Sequence, residues 1–478
     1  MSSESSSEFQ QFENMIAGKM AEAHIPGLSV ALVKNDQIIY ARGFGARNLE
    51  NNIPATPNTL YGVGSVTKSL TALAIMQLVE AGKIDLQDAV SKFLPINLGN
   101  KETITIHHLL SHSSGIPDLG TAHTLLGRLN GEEIETWIPM GNFDDLFLHV
   151  NSASKELAAE PGKRFFYLNE GYALLGEIIE RVSRMKYDEY IKERILKPLK
   201  MDRSTFLKED FLRDPDAMTP YILKGKDETI KAVATRHPFH RLVYALGGLL
   251  SSVIELSNYL VANMYDGVFQ GTRVLDGCLL EEMHKIHVEK PTGVRFYGDF
   301  GREGYGYGWT ILEDFLGHKL VGHDGDTGVS SAHLSFVPEL KIGVVAAANR
   351  GSSTYPPVCP EPVLLGALAL LMGKDPMKEI PFFEIENRFK MLTGVYEKYK
   401  GIDRLSVVQK GGMLYLDSKE TDMIVPLVPE NDKVENCKFY TIPVPGGKFP
   451  VEFEVSSSGE IDLYIERNRF HKIAPIRK

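Results

Sequence analysis

The sequence predicts a two-domain chain: an α/β (α+β) unit in which helices flank an antiparallel sheet and a helical region is inserted between its strands, then a smaller antiparallel β-module. Three observations predict it. Strand signals appear early, in "LSVALVKNDQIIYARGFG", and return only at "HKLVGHDG" and "SSAHLSFVPELKIGVVAAAN". The chain between them is mostly helix-period segments and polar loops, so the simplest packing pairs early strands with late ones. From Phe389 onward the texture changes to short alternating runs separated by Gly, Asn, Asp and Pro.

Taken in order, residues 1–8 ("MSSESSSE") are rich in Ser and Glu and read as a disordered tail. The start has neither a basic n-region nor an apolar h-region, which predicts no secretory signal and a cytoplasmic protein. The first two strands meet at Asn35 and Asp36, a hairpin signal. "YGVGSVTKSLTALAIMQLVEAG", Tyr61 to Gly82, reads as a buried helix with a glycine stop. "PVLLGALALLMG", Pro362 to Gly373, is too short to span a bilayer and reads as a core helix. A large mixed domain over 9–376 is thus followed by a linker at 377–388, in "GKDPMKEIPFFEIENR". The remainder, 389–478, with runs such as "RLSVVQKGGMLYLDS" and "FEVSSSGEIDLYIER", reads as an antiparallel β-barrel or sandwich.

Composition bounds the function. With 43% apolar and 24% charged residues the 478-residue chain is an ordinary folded protein, and a net charge of -10 disfavours a nucleic-acid partner. Its three cysteines are scattered and odd in number, which suits neither a disulfide framework nor a metal knuckle.

The chemistry starts at Ser65 and Lys68. Three apart, they share a helix face, and the apolar run behind them predicts a buried lysine whose amine is neutral enough to act as a base. The spacing alone is weak. Ser152 with Lys155 and Ser183 with Lys186 match it too, in settings that do not open a buried helix. "HHLLSH" sets His108 and His112 four apart, but Leu109 stands where a metalloprotease helix needs its glutamate. "GREGYGYG" and "GHDGDTG" lack the spacing of a dinucleotide loop, so no cofactor is expected. Taken singly, Tyr167, Asn169 and His323 read as a core aromatic, a helix cap and a structural histidine.

Taken together they carry a resemblance. "SVTK", the "YLN" of Tyr167 to Asn169, and the "HDG" of His323 to Gly325 resemble, in order, the three motifs of the serine β-lactamase and penicillin-binding-protein superfamily. The branch it is most similar to is the class C β-lactamase-like group of D-aminopeptidases and esterases. "ITIHHLLSHSSGIPD", "GGLLSSVIELSNYL" and "YGYGW" resemble the group's flanking stretches, so the likeness runs from about Phe9 to Gly373. The C-terminal region resembles the lipocalin-like barrels found on some peptidases of the group, through Gly394 to Tyr396.

The resemblance implies acyl transfer. Ser65 is the nucleophile; Lys68, with Tyr167, takes its proton; Tyr167 serves the leaving group; Asn169 binds Lys68 and substrate. The N–H groups of Ser65 and Asp326, the residue after Gly325, form the oxyanion hole. One position departs from the pattern: His323 stands where most members carry lysine, and neutral imidazole is a poor carboxylate anchor. That favours the aminopeptidase, amidase and esterase members, with Asp324, Asp326 and Glu303 as candidates to hold a free amine. The expected function is hydrolysis of small or D-amino-acid-containing peptides; an esterase, a β-lactamase or a non-catalytic ligand-binding protein are the alternatives. Exposed strand edges and an appended β-module commonly mediate pairing between chains, which predicts a homo-oligomer, and archaeal members of the group that enclose their active sites suggest a self-compartmentalizing one; no nucleic-acid or membrane partner is expected.

Overall fold

The computed structural model describes residues 3–98, 103–131, 140–225, 229–290, 300–351, 361–418, 423–431, 434–442 and 444–476. Two compact units emerge, one spanning Met1–Thr292 and Phe300–Gly373, the other Lys374–Lys478.

The first unit is built on a nine-stranded antiparallel sheet. In chain order its strands are β1 (Gly27–Lys34), β2 (Gln37–Asn48), β3 (Ile53–Pro54), β4 (Val288–Glu289), β5 (Glu303–Tyr305), β6 (Thr310–Phe315), β7 (His318–Asp326), β8 (Ser331–Val337) and β9 (Ile342–Ala348). Their spatial order is β4-β5-β6-β7-β8-β9-β1-β2-β3. Early and late segments therefore meet as the sequence predicts: β1 pairs with β9 from Leu28 opposite Ala348 to Lys34 opposite Ile342. The β1–β2 hairpin turns at Asn35, whose φ of 58° asparagine tolerates better than most residues. Strands β8 and β9 are buried at every position; β9 reads accordingly as a continuous apolar run, while β8 buries Ser331, His333 and Ser335 between its apolar residues.

Helices cover this sheet. They are α1 (Ser3–Glu22), α2 (Thr67–Glu80), α3 (Ile106–Leu110), α4 (Asn169–Ser183), α5 (Val253–Met264) and α6 (Glu361–Leu371). α5 packs on β1, β8 and β9, and α6 packs on β9 and α1. The inserted helical region brings α4 against α2, so α2 is enclosed on nearly every side and its residues from Thr67 to Met76 are all buried. It stops where expected, with Gly82 in the left-handed region at φ 65°.

Two expectations about the chain's joints need correcting. Helix α1 starts at Ser3, so most of the expected 1–8 tail is helical backbone. The expected linker at 377–388 is also helical, as α7 (Pro376–Glu379) and α8 (Pro381–Leu392). Proline at the first position of each supplies a fixed φ where no N–H is needed, which a linker reading of "DP" and "IP" overlooks.

The second unit is a closed antiparallel barrel of eight strands: β10 (Gly394–Lys398), β11 (Asp403–Lys410), β12 (Met413–Ser418), β13 (Met423–Pro429), β14 (Lys438–Thr441), β15 (Phe449–Val455), β16 (Ile461–Ile465) and β17 (Asn468–Ala474). β10 pairs with β17 to close it, which decides barrel over sandwich and leaves no free sheet edge. Phe389 and Leu392 of α8 join the barrel's apolar core, and the Tyr396 hydroxyl donates to Leu392 O at 2.6 Å. Among the described residues no helix is long and apolar enough to cross a membrane.

Candidate active site

Ser65 stands in one 3-10 turn, Gly64–Val66, that runs directly into α2. Thr67 Oγ1 closes the turn by donating to Gly64 O at 2.7 Å. One helical step later the Lys68 amine is fully buried and lies 2.9 Å from Ser65 Oγ, 2.8 Å from Asn169 Oδ1 and 2.7 Å from Leu246 O. Burial pushes Lys68 well below the ordinary ammonium range, opposed by the nearby Glu170 carboxylate. Ser65 itself is partly exposed, so the hydroxyl can be reached.

Asn169 is the first residue of α4, and Tyr167 lies just ahead of it. His112 braces this segment. The Leu168 N–H donates to His112 Nδ1 at 3.0 Å, the Phe166 N–H donates to His112 O at 2.7 Å, and the two ring centroids of His112 and Tyr167 are 4.3 Å apart. Burial pushes His112 well below the usual imidazole range, keeping it the neutral acceptor that Leu168 needs. Burial raises the Tyr167 phenol above its ordinary value, against a hydrogen bond with Ser65. Tyr167 therefore stays a neutral phenol, and its ring centroid is 4.8 Å from Lys68 Nζ.

Strand β7 supplies the opposite wall. The end of β7 touches the Ser65 turn backbone to backbone: a Cβ on Gly325 would stand 1.9 Å from Val63 O and 2.8 Å from Ser65 N. A Cβ on Gly64 would stand 2.3 Å from Asp326 N. Glycine at both places lets the amides of Ser65 and Asp326 come side by side.

His323 is 7% exposed, with Nδ1 2.5 Å from Asp324 O and Nε2 2.8 Å from the Tyr305 hydroxyl. A carbonyl only accepts, so Nδ1 carries the proton and Tyr305 donates to Nε2. Burial, followed by the Lys68 charge, lowers His323 to about 4. Of the acidic candidates, Glu303 pairs with the Lys290 ammonium, and the Asp326 carboxylate accepts the Gly328 N–H at 2.5 Å. Asp324 keeps its side chain 60% exposed. A cleft of about 510 Å³ opens over these groups, with Ser65, Tyr167, Lys290, Tyr305, His323 and Asp324 in its walls.

Ser65, Lys68, Tyr167, Asn169, His323, Gly325 and Asp326 thus come together around one cleft. Residues 12–367 match the family described as Beta-lactamase. The chain belongs to the Beta-lactamase family. Its residues 376–471 match the family described as "Pab87 octamerisation domain". Among solved structures, the "octameric penicillin-binding protein homologue from Pyrococcus abyssi" is 41% identical, covers 97% of this chain and 100% of that one, and superposes with a TM-score of 0.87. The penicillin binding protein from Bacillus halodurans is 25% identical over 74% of this chain and 98% of that one, with a TM-score of 0.58. Penicillin-binding protein 4 of Amycolatopsis lactamdurans is 30% identical over 342 residues, 70% of this chain and 83% of that protein. Protein flp of Staphylococcus aureus (strain MW2) is 30% identical over 352 residues, 73% of this chain; the match spans 64% of that longer relative.

Within this Beta-lactamase fold several site residues escaped the sequence reading. His112 appeared only as half of an unconvincing metal pair; its partner His108 accepts the Thr105 N–H at 3.1 Å as part of the α3 cap. Leu246 contributes a backbone carbonyl, for which no residue type is a signal. Glu170 follows the second motif directly and reads there as an ordinary first-turn carboxylate.

Proposed function

We propose that this Beta-lactamase family member is a serine hydrolase that works through an acyl-enzyme on Ser65, and that its substrates are small peptides with a free amine, D-residues included. The observation that carries the reading is the set of partners around Lys68. A neutral amine has two N–H bonds and one lone pair. Asn169 Oδ1 and Leu246 O are acceptors at 2.8 and 2.7 Å and use both N–H bonds, so the lone pair is left for the Ser65 hydroxyl at 2.9 Å. Ser65 O–H then donates to nitrogen, the arrangement a general base requires.

Attack forms the Ser65 Oγ–carbon bond while the hydroxyl proton passes to Lys68. The carbonyl π pair moves onto oxygen, opposite the amide of Ser65 in the turn that leads into α2 and the amide of Asp326 at the end of β7. Collapse breaks the bond to the leaving amine, which takes its proton from Tyr167; the Lys68 ammonium then gives Tyr167 the proton it took from Ser65. Water repeats the sequence to release the acid. Burial keeps Tyr167 protonated and disfavours its phenolate, so it passes a proton on only as Lys68 replaces it.

The cleft favours amines over carboxylates in its substrates. His323 is neutral with both ring nitrogens engaged, and the Lys290 ammonium is held by Glu303, so neither replaces the usual third-motif lysine. Asp324 is ion-paired with His333 on one side, but its side chain is 60% exposed at the cleft wall, and it is the carboxylate we assign to a substrate ammonium. Intact-mass spectrometry after exposure to D- and L-aminoacyl esters tests the chemistry: an acyl adduct on Ser65, absent from Ser65→Ala, is expected. Equal turnover by Ser65→Ala removes the proposal, and equal rates on N-acylated and free-amine peptides remove its amine specificity.

The octameric relative and the match of the barrel to an octamerisation family support a homo-octamer here too, with the clefts enclosed and substrates limited by size. Light scattering on the full chain should return the mass of eight copies; a monomer refutes this.

A further inference from the structure

We propose that Asp324, His333 and Glu361 form a binding site for a divalent transition-metal ion of the Zn²⁺ class in the cleft wall, and that its occupancy reversibly blocks hydrolysis. Asp324 on β7 and His333 on β8 are directly opposed across the ladder, and Glu361 opens α6 beside them. One ligand atom from each lies within 4.8 Å of the other two, and among the described residues no other group of three His, Cys, Asp or Glu converges in this way.

The geometry within the group points to a cation. His333 Nδ1 and Asp324 Oδ1 are 2.5 Å apart, a charge-assisted hydrogen bond whose proton an ion would displace as the two donors part to tetrahedral spacing. The other ring nitrogen, Nε2, pairs with Ser335 Oγ at 2.8 Å, the outer partner that holds a ligating imidazole in orientation. The His333 side chain is 4% exposed and anchored in the sheet, while that of Asp324 is 60% exposed and open to the cleft, which gives an ion a route in. One nitrogen and two carboxylate oxygens suit Zn²⁺, Co²⁺ or Ni²⁺ better than Mg²⁺ or Ca²⁺, which take all-oxygen sets. Donors on bonds of about 2.1 Å in a tetrahedral site stand about 3.4 Å apart, so a side-chain rotation of Glu361 closes the set.

None of the three ligands transfers a proton to or from Ser65 in the proposed mechanism. The ion acts by occupancy: Asp324 and Glu361 line the same cleft as Ser65, and an ion there takes Asp324 away from a substrate ammonium. Only this inhibitory half rests on the proposed function; the binding half does not.

The test titrates the full-length chain with Co²⁺, followed by its visible d–d band, and with Zn²⁺ by calorimetry. Wild type should bind one ion per chain at this site, His333→Ala should lose it, and Glu361→Gln should bind at least tenfold more weakly. Ser65→Ala should bind as wild type does, which separates a failure of this site from a failure of the hydrolase reading. Circular dichroism checks that each variant is folded, and Glu361→Gln, a partly exposed helix-end position, carries the test if His333→Ala is not. Zn²⁺ should slow hydrolysis of a free-amine substrate by wild type, with EDTA restoring the rate, and should slow Glu361→Gln much less. Unchanged stoichiometry and affinity in both variants, or no binding by wild type beyond that of Mg²⁺, overturns the proposal.

Discussion

Replacing Gly325 by alanine should disable the enzyme without touching any side chain that does chemistry. The added methyl would meet Val63 O at 1.9 Å, Ser65 N at 2.8 Å and Val63 C at 2.9 Å, all of them backbone atoms with no rotamer to escape into. Ordinary contact begins at 3.4 Å, so β7 and the Ser65 turn must part by about 1.5 Å. The two amides proposed to hold the oxyanion ride on the two pieces being separated. A displacement of about 1 Å at a reacting centre costs about 10²-fold. Loss of one oxyanion donor costs about 10²–10³ in kcat, or about 2.7–4 kcal/mol. The expectation for Gly325→Ala is therefore a fall in kcat of about 10²–10³ with KM much less affected. Steady-state hydrolysis of an activated aminoacyl ester measures it, with circular dichroism as the check on folding. A folded variant that keeps more than about a tenth of wild-type kcat refutes the argument that this contact aligns the oxyanion pair.

Three further outcomes follow from other parts of the molecule. Glu170→Gln removes the charge that favours the Lys68 ammonium, so the acid limb of the kcat/KM profile should move to lower pH; a shift upward, or none, contradicts the coupling. Buried His237, His284 and His323 are held at about 3, about 3 and about 4, whereas the unfolded chain protonates them near 6.5. Stability should thus be full above about pH 6.5 and fall toward pH 4, each group contributing about 1.4 kcal/mol per pH unit, partly offset by His333, whose proton the fold retains; a melting temperature that is flat from pH 7 to 5 contradicts this. Lys68→Met keeps the bulk of the side chain but has no lone pair on nitrogen to receive the Ser65 proton, so acyl-enzyme formation should drop by about 10²–10⁴ in single-turnover mass spectrometry; unchanged acylation would assign the base elsewhere.

Much of the candidate site was legible because its signals are local. Ser65 and Lys68 are one helical step apart, and the apolar run that follows them announces that the step is buried. The order of the three motifs located Tyr167, Asn169 and His323 without any knowledge of the sheet. The alternating texture after Phe389 marked a separate β-module, and only the pairing of β10 with β17 made it a barrel. Helices α7 and α8 were misread because a proline that starts a helix and one that interrupts it look the same in a polar context.

By itself, then, the chain's order of residues determined the fold class, the neighbouring Ser65 and Lys68, and the absence of the usual lysine at His323. Only the tertiary structure decided the protonation and reach of those groups. Asn169 is 101 residues from Lys68 and Leu246 is 178, yet their two acceptors hold the amine beside Ser65. The bracing of Tyr167 by His112 and the meeting of Asp324, His333 and Glu361 are likewise contacts between distant segments. Helix and strand periodicity reports which face of an element is buried, whereas the dielectric around an amine and the partners of its hydrogen bonds are properties of whatever the rest of the chain folds against it.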